Sequence, residues 1–284
     1  MGDPNTSNHH WDSVTMTTDT GASTEVLTYG AHLCSWKTVS GKEWIFLSKD
    51  AVFEDGKAIR GGVPIIFPQF NEFGPGGRHG FARNSVWELT QEPASTPQGL
   101  ECVFTLKSDE RTLVLWPHAF EARFRVLLSG DSLEMSLEVD NTSDAAFQFT
   151  VALHSYFLVN DIHQVSLLGL KTCDFWDNDG RDFASRTRAD DELNVISVPL
   201  DRVYFDSANE LSLCDGEHKL AITHCGFPDV VVWNPGEAGA AAFADMANTE
   251  YKNMLCVEGA AVDKLIVVEP GGRWIGKQSL RELS

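Results

Sequence analysis

The chain has 284 residues with 22 Lys and Arg against 41 Asp and Glu, so its formal net charge at pH 7 is −19. This charge repels nucleic-acid phosphates, and we therefore expect no nucleic-acid partner. Hydrophobic residues make up 43% of the chain and charged residues 22%. These proportions are typical of a globular protein with a substantial core and exclude a disordered one.

No apolar stretch reaches the roughly 18 residues that a membrane span requires. The first residues, MGDPNTSNHHW, lack the basic and apolar regions of a signal peptide. The six cysteines are scattered without a CxxC pair, and several lie in apolar runs. We therefore expect buried free thiols in a cytoplasmic protein that has neither a membrane partner nor a metal site.

In chain order, short segments that alternate polar and apolar residues dominate the sequence, as is typical of strands buried on one face. The clearest are Ser23–Tyr29, Glu101–Lys107, Glu121–Ser129, Ser132–Asp140 and Ala146–His154. Turn-forming residues separate them, and short helical turns are expected only near Ala238–Met246. The expected fold class is all-β, a large antiparallel β-sandwich.

After the polar start, no linker, repeat or low-complexity tract interrupts the chain. We expect a flexible N-terminal segment over residues 1–12 and a single sandwich domain over residues 13–284. Thr172–Asp191 is rich in Asp and Arg and is expected to form a polar excursion at the rim rather than part of the core. A monomer is the simplest expectation for the assembly state.

An ionisable residue stands at the end of the strand pattern that begins at Phe147. Side chains alternate between the two faces of a strand, so the apolar residues through Leu153 share one face. His154 and Tyr156 then project from the other face, where His154 suits the floor of a groove. The alternative is a hydrogen-bonded structural histidine.

A carboxylate closes a second apolar strand, at Glu258 in the segment Met254–Ala261. An ionised carboxylate in such a place is costly unless it is paired or used, and the small residues that follow leave room for a ligand. The alternatives of a buried hydrogen-bonding residue or an ion-pair partner stay open, because perturbed carboxylates occur in structural networks as well as in active sites.

Three arginines and one histidine lie on Gly- and Pro-rich loops of this acidic chain, namely Arg60, Arg78, His79 and Arg83. They predict a local cationic pocket, because the planar guanidinium group binds phosphate or carboxylate oxygens in pairs. The alternative is that each arginine merely neutralises a neighbouring acid.

Six segments occur in an order that resembles the hexose-6-phosphate mutarotases (glucose-6-phosphate 1-epimerases), the phosphosugar branch of the aldose 1-epimerases. They are RGGVPIIFPQF at Arg60–Phe70, HGFARN at His79–Asn84, LHSYF at Leu153–Phe157, DRVY at Asp201–Tyr204, VVWNP at Val231–Pro235 and CVEGA at Cys256–Ala260. Two residues depart from the family pattern: Arg78 stands where relatives often carry a neutral Gln, and Gly259 where Ala is common.

The resemblance implies a galactose-mutarotase-like β-supersandwich. It also implies that His154 and Glu258 form a catalytic pair and that five residues bind the substrate. The substrate-binding set is Arg60, Arg78, His79, Arg83 and Asp201. Asp201 could instead be an ion-pair partner or a turn residue.

The implied reaction exchanges the α and β anomers of an aldohexose 6-phosphate by opening and closing the hemiacetal ring, with Glu258 as the base and His154 as the acid. It uses no metal or other cofactor, and the expected partner is a small sugar phosphate. We expect Glu258 to be ionised and His154 to be able to carry a proton at neutral pH. The alternatives are an epimerase for unphosphorylated sugars and a silent sugar-phosphate-binding protein. Glycoside hydrolysis is less favoured, because only Glu258 qualifies among the carboxylates.

Overall fold

A computed structural model describes residues 10–178, 182–208 and 210–283. The predicted flexible segment 1–12 falls largely outside these residues. Within it, Trp11 is buried and its ring stacks on that of Tyr29 at 3.9 Å between centroids. In the described part of the chain, no helix is long and apolar enough to cross a membrane.

Strands make up most of the described chain. In chain order they are β1 (Ser13–Thr17), β2 (Ser23–Leu27), β3 (His32–Lys37), β4 (Ile65–Ile66), β5 (Glu88–Thr96), β6 (Gly99–Lys107), β7 (Phe120–Ser129), β8 (Ser132–Asn141), β9 (Phe147–Leu153), β10 (Tyr156–Leu158), β11 (Val165–Leu168), β12 (Asp174–Asp177), β13 (Thr187–Arg188), β14 (Leu200–Phe205), β15 (Glu210–Asp215), β16 (His218–Cys225), β17 (Asp229–Asn234), β18 (Met254–Val268) and β19 (Arg273–Leu283).

The helices are short. They are α1 (Glu110–Leu115), α2 (Gly236–Ala242) and the 3₁₀ turns Ala82–Asn84, Ile162–Gln164 and Glu250–Asn253. Helix α2 lies where the sequence predicts helical turns.

All strand pairs between named strands are antiparallel, and they build two large sheets. One has the order β13-β12-β14-β17-β18-β9-β4, with β10 also paired to β18, and the other has the order β11-β15-β16-β19-β8-β7-β6-β5. A third, small sheet contains β1, β2 and β3. The predicted all-β antiparallel sandwich is therefore confirmed.

The main hydrophobic core lies between the two large sheets. In β7 every second side chain is buried, from Phe120 to Leu128, which is the period of a strand with one face on the core. In β18, Leu255 and Val257 belong to this core, whereas Ala260 packs in a separate cluster on the opposite face of the sheet. The face that points away from the main core is the one that carries the candidate site.

All six cysteines are free, as predicted. Cys34, Cys102 and Cys256 are buried, but Cys225 is exposed, so the expectation of buried thiols is wrong for that residue. Cys225 is the last residue of β16, where the strand leaves the core.

Candidate active site

All seven residues that the sequence analysis selected line one open cavity of about 180 Å³. It lies over the outer face of the sheet that contains β9, β14, β17 and β18. The predicted site residues in its wall are Arg60, Arg78, His79, Arg83, His154, Asp201 and Glu258. Distant parts of the chain thus meet in a single pocket.

The two proposed acid–base residues are neighbours across adjacent strands. Leu153, the last residue of β9, pairs with Gly259, so His154 and Glu258 lie side by side in the cavity. His154 occupies the short break between β9 and β10, yet it keeps the alternation that the sequence predicts, with Tyr156 on the same face.

His154 Nδ1 lies 3.2 Å from Glu258 Oε1, without the geometry of a hydrogen bond. Glu258 is only 1% exposed. Among the described residues, neither His154 Nδ1 nor Glu258 Oε2 has a hydrogen-bond partner. Buried polar atoms are normally satisfied, so these two atoms are available to a ligand that enters the cavity.

The protonation state of Glu258 differs from the ionised one expected from the sequence. Burial raises the pKa of Glu258 well above its usual value, Asp201 raises it further, and Arg83 opposes both. Burial also lowers the pKa of His154, and the neighbouring His79 and Arg83 act in the same direction. Burial therefore favours a neutral carboxyl group beside a neutral imidazole, because it penalises the charged form of each.

Arg60 is held by three contacts. Its Nε donates to Asp245 Oδ1 at 3.2 Å, and its Nη1 donates to Tyr156 Oη at 3.3 Å. Its guanidinium carbon lies 4.2 Å from the centroid of the Phe243 ring. Arg60 therefore neutralises a neighbouring acid, Asp245, which was the alternative to a substrate-binding role, and it also lines the cavity.

Arg83 and Arg78 differ from Arg60. No carboxylate oxygen of the described residues lies within salt-bridge distance of either. Arg83 Nη2 donates to the Arg78 carbonyl at 2.9 Å, while its Nε is buried without a partner among those residues. Burial lowers the pKa of Arg83 to about 10, so it stays cationic at neutral pH. The predicted cationic pocket is present in an otherwise acidic chain.

A glutamine that the sequence analysis did not select organises the loop before Arg83. The Nε2 of Gln69 donates to the carbonyls of Asn71, Gly74 and Gly77 at 3.2, 3.1 and 2.7 Å, and its Oε1 accepts from Gly76 N at 2.6 Å. One buried side chain thereby shapes the loop that carries the predicted Arg78 and His79. A buried polar residue next to a Gly-rich stretch is the signal that could have revealed it.

His79 reaches the cavity from a left-handed backbone position, with φ of 66°. The next residue, Gly80, approaches the Phe67 carbonyl so closely that a Cβ would collide with it. His79 Nδ1 accepts from Asn71 N at 3.2 Å, which leaves Nε2 as the protonated nitrogen. Burial lowers its pKa to about 3, so His79 is a neutral donor.

Asp201 lies on β14 and accepts a 2.8 Å hydrogen bond from Asn178 Nδ2. Burial raises its pKa to about 6, although the Asn178 hydrogen bond acts in the opposite direction. The adjacent Arg202 pairs with Asp177 at 3.4 Å. Within the described residues, Asp201 thus faces the cavity and is not the ion-pair partner of Arg202.

The polar segment Thr172–Asp191 is not only a rim excursion, which corrects the expectation. Its residues Asp174–Asp177 form β12 in the sheet, and Phe175 and Trp176 are buried. Two adjacent aromatic residues between two Asp residues give no period-two signal, so the overall polarity concealed this strand. Residues 179–181 of this segment lie outside the described residues.

Several further side chains line the cavity that sequence reasoning did not assign to it. They are Tyr156, Trp176, Asn178, Trp233 and Phe243. The ring of Tyr156 stacks on that of His154 at 4.8 Å and 9°. Aromatic walls of this kind suit the apolar faces of a sugar ring as well as ordinary packing.

One set of side chains has the composition of a metal site. His154, Cys256 and Glu258 place their ligand atoms within 4.8 Å of one another. Burial keeps the Cys256 thiol protonated by raising its pKa well above the usual value. The nearby arginines also oppose a cation, so the expectation of a metal-free reaction stays a prediction.

The chain is similar to known proteins in both sequence and fold. The family model for aldose 1-epimerase matches residues 12–281. A protein of Cenchrus ciliaris named "Putative glucose-6-phosphate 1-epimerase" is 41% identical over 90% of this chain and 80% of its own length. A protein of Escherichia coli K12 with the same name is 37% identical over 81% of this chain and 77% of its own length.

Among solved structures, a "putative mutarotase" from Salmonella typhimurium superimposes with a TM-score of 0.86 at 31% identity, covering 96% of this chain and 91% of that chain. The sequence match and the shared fold together identify the chain as a member of the aldose 1-epimerase family.

Proposed function

We propose that this epimerase interconverts the α and β anomers of hexose 6-phosphates, with glucose 6-phosphate as the substrate we expect first. The observation that carries the proposal is the combination of an acid–base pair with Arg83 and Arg78, which have no carboxylate partner among the described residues, in one cavity. The names of the relatives support the same substrate class.

The reaction needs one proton removed from the C1 hydroxyl and one delivered to the ring oxygen. Glu258 takes the first and His154 supplies the second, which leaves a neutral carboxyl group and a neutral imidazole beside the open-chain aldehyde. After rotation about the C1–C2 bond, the same two transfers run backwards and close the ring on the other face. Each positioned group contributes about 10²–10⁴-fold.

Burial suits this cycle, because the pair carries one proton throughout. The neutral carboxyl and imidazole that burial favours are the states required at the open-chain stage. A bound phosphate adds negative charge near Arg83 and Arg60, the residues that lower the pKa of His154, and so makes the protonated imidazole less costly. We infer that the phosphate helps to charge His154 for ring opening.

The arginines have a separate task. A protein with a net charge of −19 repels a sugar phosphate in bulk solution. A partly desolvated guanidinium group without a carboxylate partner overcomes this, because its hydrogen bonds to phosphate are charge-assisted and little screened. Asp201 and His79 are proposed to contact the sugar hydroxyl groups, as an acceptor and a donor respectively.

Anomer exchange measured by NMR magnetisation transfer tests the proposal. Equilibrated glucose 6-phosphate and glucose are compared, each with the wild type and with Glu258→Gln. We expect faster exchange of the phosphosugar only, lost in the variant by at least about 10²-fold because the base is gone.

Equal acceleration of both sugars would indicate an epimerase for unphosphorylated aldoses. No acceleration of either, with glucose 6-phosphate still raising the Tm, would indicate a binding protein without catalysis. Either result would contradict the proposed function.

A further inference from the structure

A buried polar network lies directly behind the acid–base pair, in the core between the two large sheets. Gln278 on β19 and His224 on β16 face each other across their ladder. Gln278 is 0% exposed and His224 is 4% exposed. Such polar groups are costly inside a hydrophobic core unless they are hydrogen-bonded, and in this network His224 Nδ1 lacks a partner among the described residues.

The amide of Gln278 bonds to both strands that carry the pair. Its Oε1 accepts from Ser155 Oγ at 2.5 Å, and its Nε2 donates to the Val257 carbonyl at 3.1 Å. Its Nε2 also lies 2.9 Å from His224 Nε2. The Val257 carbonyl can only accept, which fixes the amide orientation and makes His224 Nε2 an acceptor as well.

The two atoms that Gln278 holds belong to the immediate chain neighbours of the pair. Ser155 follows His154, and Val257 precedes Glu258. Val257 N also donates to the Ser155 carbonyl at 3.1 Å. These contacts join the two strands where β9 has ended and β10 has not begun. The flanking pairs Leu153–Gly259 and Tyr156–Cys256 keep one register, and Gln278 bonds to the residues that lie between them.

We propose that Gln278 is a positioning residue that sets the separation of His154 and Glu258 from behind the sheet. The proposal rests on the proposed function for its kinetic consequence, but the contacts exist independently of it. A shift of about 1 Å between reacting groups costs on the order of 10²-fold in rate. A side chain that ties both strands to the rigid opposite sheet limits such a shift.

The position of His224 depends on Gly259 in β18, because this glycine has no side chain. A Cβ on Gly259 would lie 2.7 Å from His224 Cδ2 and 3.0 Å from Phe227 Cδ2. The imidazole that contacts Gln278 therefore occupies space that any larger residue at position 259 would take. Gly259, His224 and Gln278 form one packing unit.

The first test is Gln278→Leu, which keeps a similar volume and removes all three contacts. We expect kcat for glucose 6-phosphate exchange to fall about 10–100-fold, with KM changed less than about twofold, because the phosphate contacts are intact. The matched control is Leu280→Ala, a fully buried change on the same strand. It should lower the Tm without changing kcat.

Ser155→Ala keeps the test decisive if Gln278→Leu does not fold. It removes only the Ser155 hydrogen bond and should lower kcat with KM unchanged. Gly259→Ala should also lower kcat, because it displaces His224, and adding His224→Ala should restore the Tm by returning the space. Wild-type kcat in Ser155→Ala and Gly259→Ala would overturn the proposal.

A readout without catalysis separates this inference from the proposed function. Histidine-selective ¹⁵N NMR reports the ring environment of His154 directly. We expect its signals to shift in Gln278→Leu or Ser155→Ala and to stay unchanged in Leu280→Ala. If the wild type exchanges no sugar, the proposed function fails while this shift still supports positioning, and unchanged His154 signals in both variants would refute it.

Discussion

Arg83 is the residue whose surroundings bear most directly on a phosphorylated substrate. Its Nε is buried without a partner in the part of the chain that the structure describes, and its Nη2 donates to the Arg78 carbonyl. In Arg83→Ala, we expect KM for glucose 6-phosphate to rise by about 10–100-fold, the equivalent of a lost charge-assisted hydrogen bond of about 1.5–3 kcal/mol. Exchange of any glucose that the enzyme accepts should change little.

The control for this prediction is Arg125→Ala, which changes the net charge equally but lies on β7 of the other sheet. Arg125 pairs with Glu101 and Glu134, not with cavity residues. Its removal should leave KM for both sugars unchanged. Equal losses on both sugars in Arg83→Ala would contradict a phosphate-specific role. Initial exchange rates over a concentration series measure these constants.

Candidate catalytic residues could be predicted from the sequence where an ionisable side chain stands among apolar ones. His154 and Glu258 were selectable because an ionisable group at the end of an apolar strand breaks the pattern. Their protonation was not readable, because it depends on the depth of burial and on neighbours such as Arg83 that are remote in sequence. For this reason the structure favours a neutral Glu258 carboxyl group where the sequence indicates an ionised one.

At the scale of the element, the loop before His79 depends on Gln69. Four hydrogen bonds from one side chain order a loop that is mostly exposed. In Gln69→Leu we expect KM for glucose 6-phosphate to rise several-fold, and by about 10-fold if the loop loses the equivalent of one hydrogen bond. The Tm should change little. Water can solvate the freed backbone groups of this loop.

Limited proteolysis and exchange kinetics check this prediction together. Cleavage between residues 71 and 78 should become faster in Gln69→Leu, while the rest of the chain stays protected. Gln69→Glu keeps an acceptor for Gly76 N but loses the donors, so it should lie between the wild type and Gln69→Leu. An unchanged KM in Gln69→Leu would show that loop order does not support binding.

Strand β12 could not be predicted from its own sequence. Asp174–Asp177 is polar at both ends and apolar in the middle, so its composition favours a rim loop. It becomes a strand because β14 offers it an edge, with Phe175 pairing opposite Tyr204. Whether a short segment forms a strand depends on the strand that pairs with it, and that partner comes from a distant part of the chain.

At the scale of the whole molecule, buried histidines predict acid lability. Burial lowers the pKa of His32 and of His79 to about 3, that of His224 to about 4 and that of His154 well below its usual value. The unfolded chain binds these protons from about pH 6.5 downwards, so stability falls as the pH drops from there towards 4. The loss is about 1.4 kcal/mol per pH unit for each such group.

Four carboxyl groups act in the opposite direction, and two of them are Glu43 and Asp229, whose pKa values burial raises. Burial raises the pKa of Asp201 to about 6 and that of Glu258 well above its usual value, and each contributes stability that is lost as the pH rises. Urea unfolding at pH 7 and pH 5 should show a lower free energy of unfolding at pH 5. The double variant Asp201→Asn/Glu258→Gln should show a steeper fall. Equal stability at both pH values would contradict the prediction.

The sequence by itself determined the fold class and the membership of the cavity. Alternation with period two is a local property of each strand, so the sandwich and strands such as β7 and β8 were predictable with near-correct ends. The ordered segments from RGGVPIIFPQF to CVEGA carried the resemblance, and each of them contributes at least one residue to the pocket. The domain limits and the monomer stay predictions.

Only the tertiary structure decided how the site is supported. Gln278, His224 and Gly259 reach the acid–base pair through the space between two sheets, and Gln69 reaches its loop through backbone carbonyls. Gln69 carries a local signal beside its Gly-rich stretch, whereas Gln278, His224 and Gly259 act across contacts between segments far apart in the chain. Burial, partner geometry and the pKa values that follow from them are properties of that assembly and have no counterpart in a single segment.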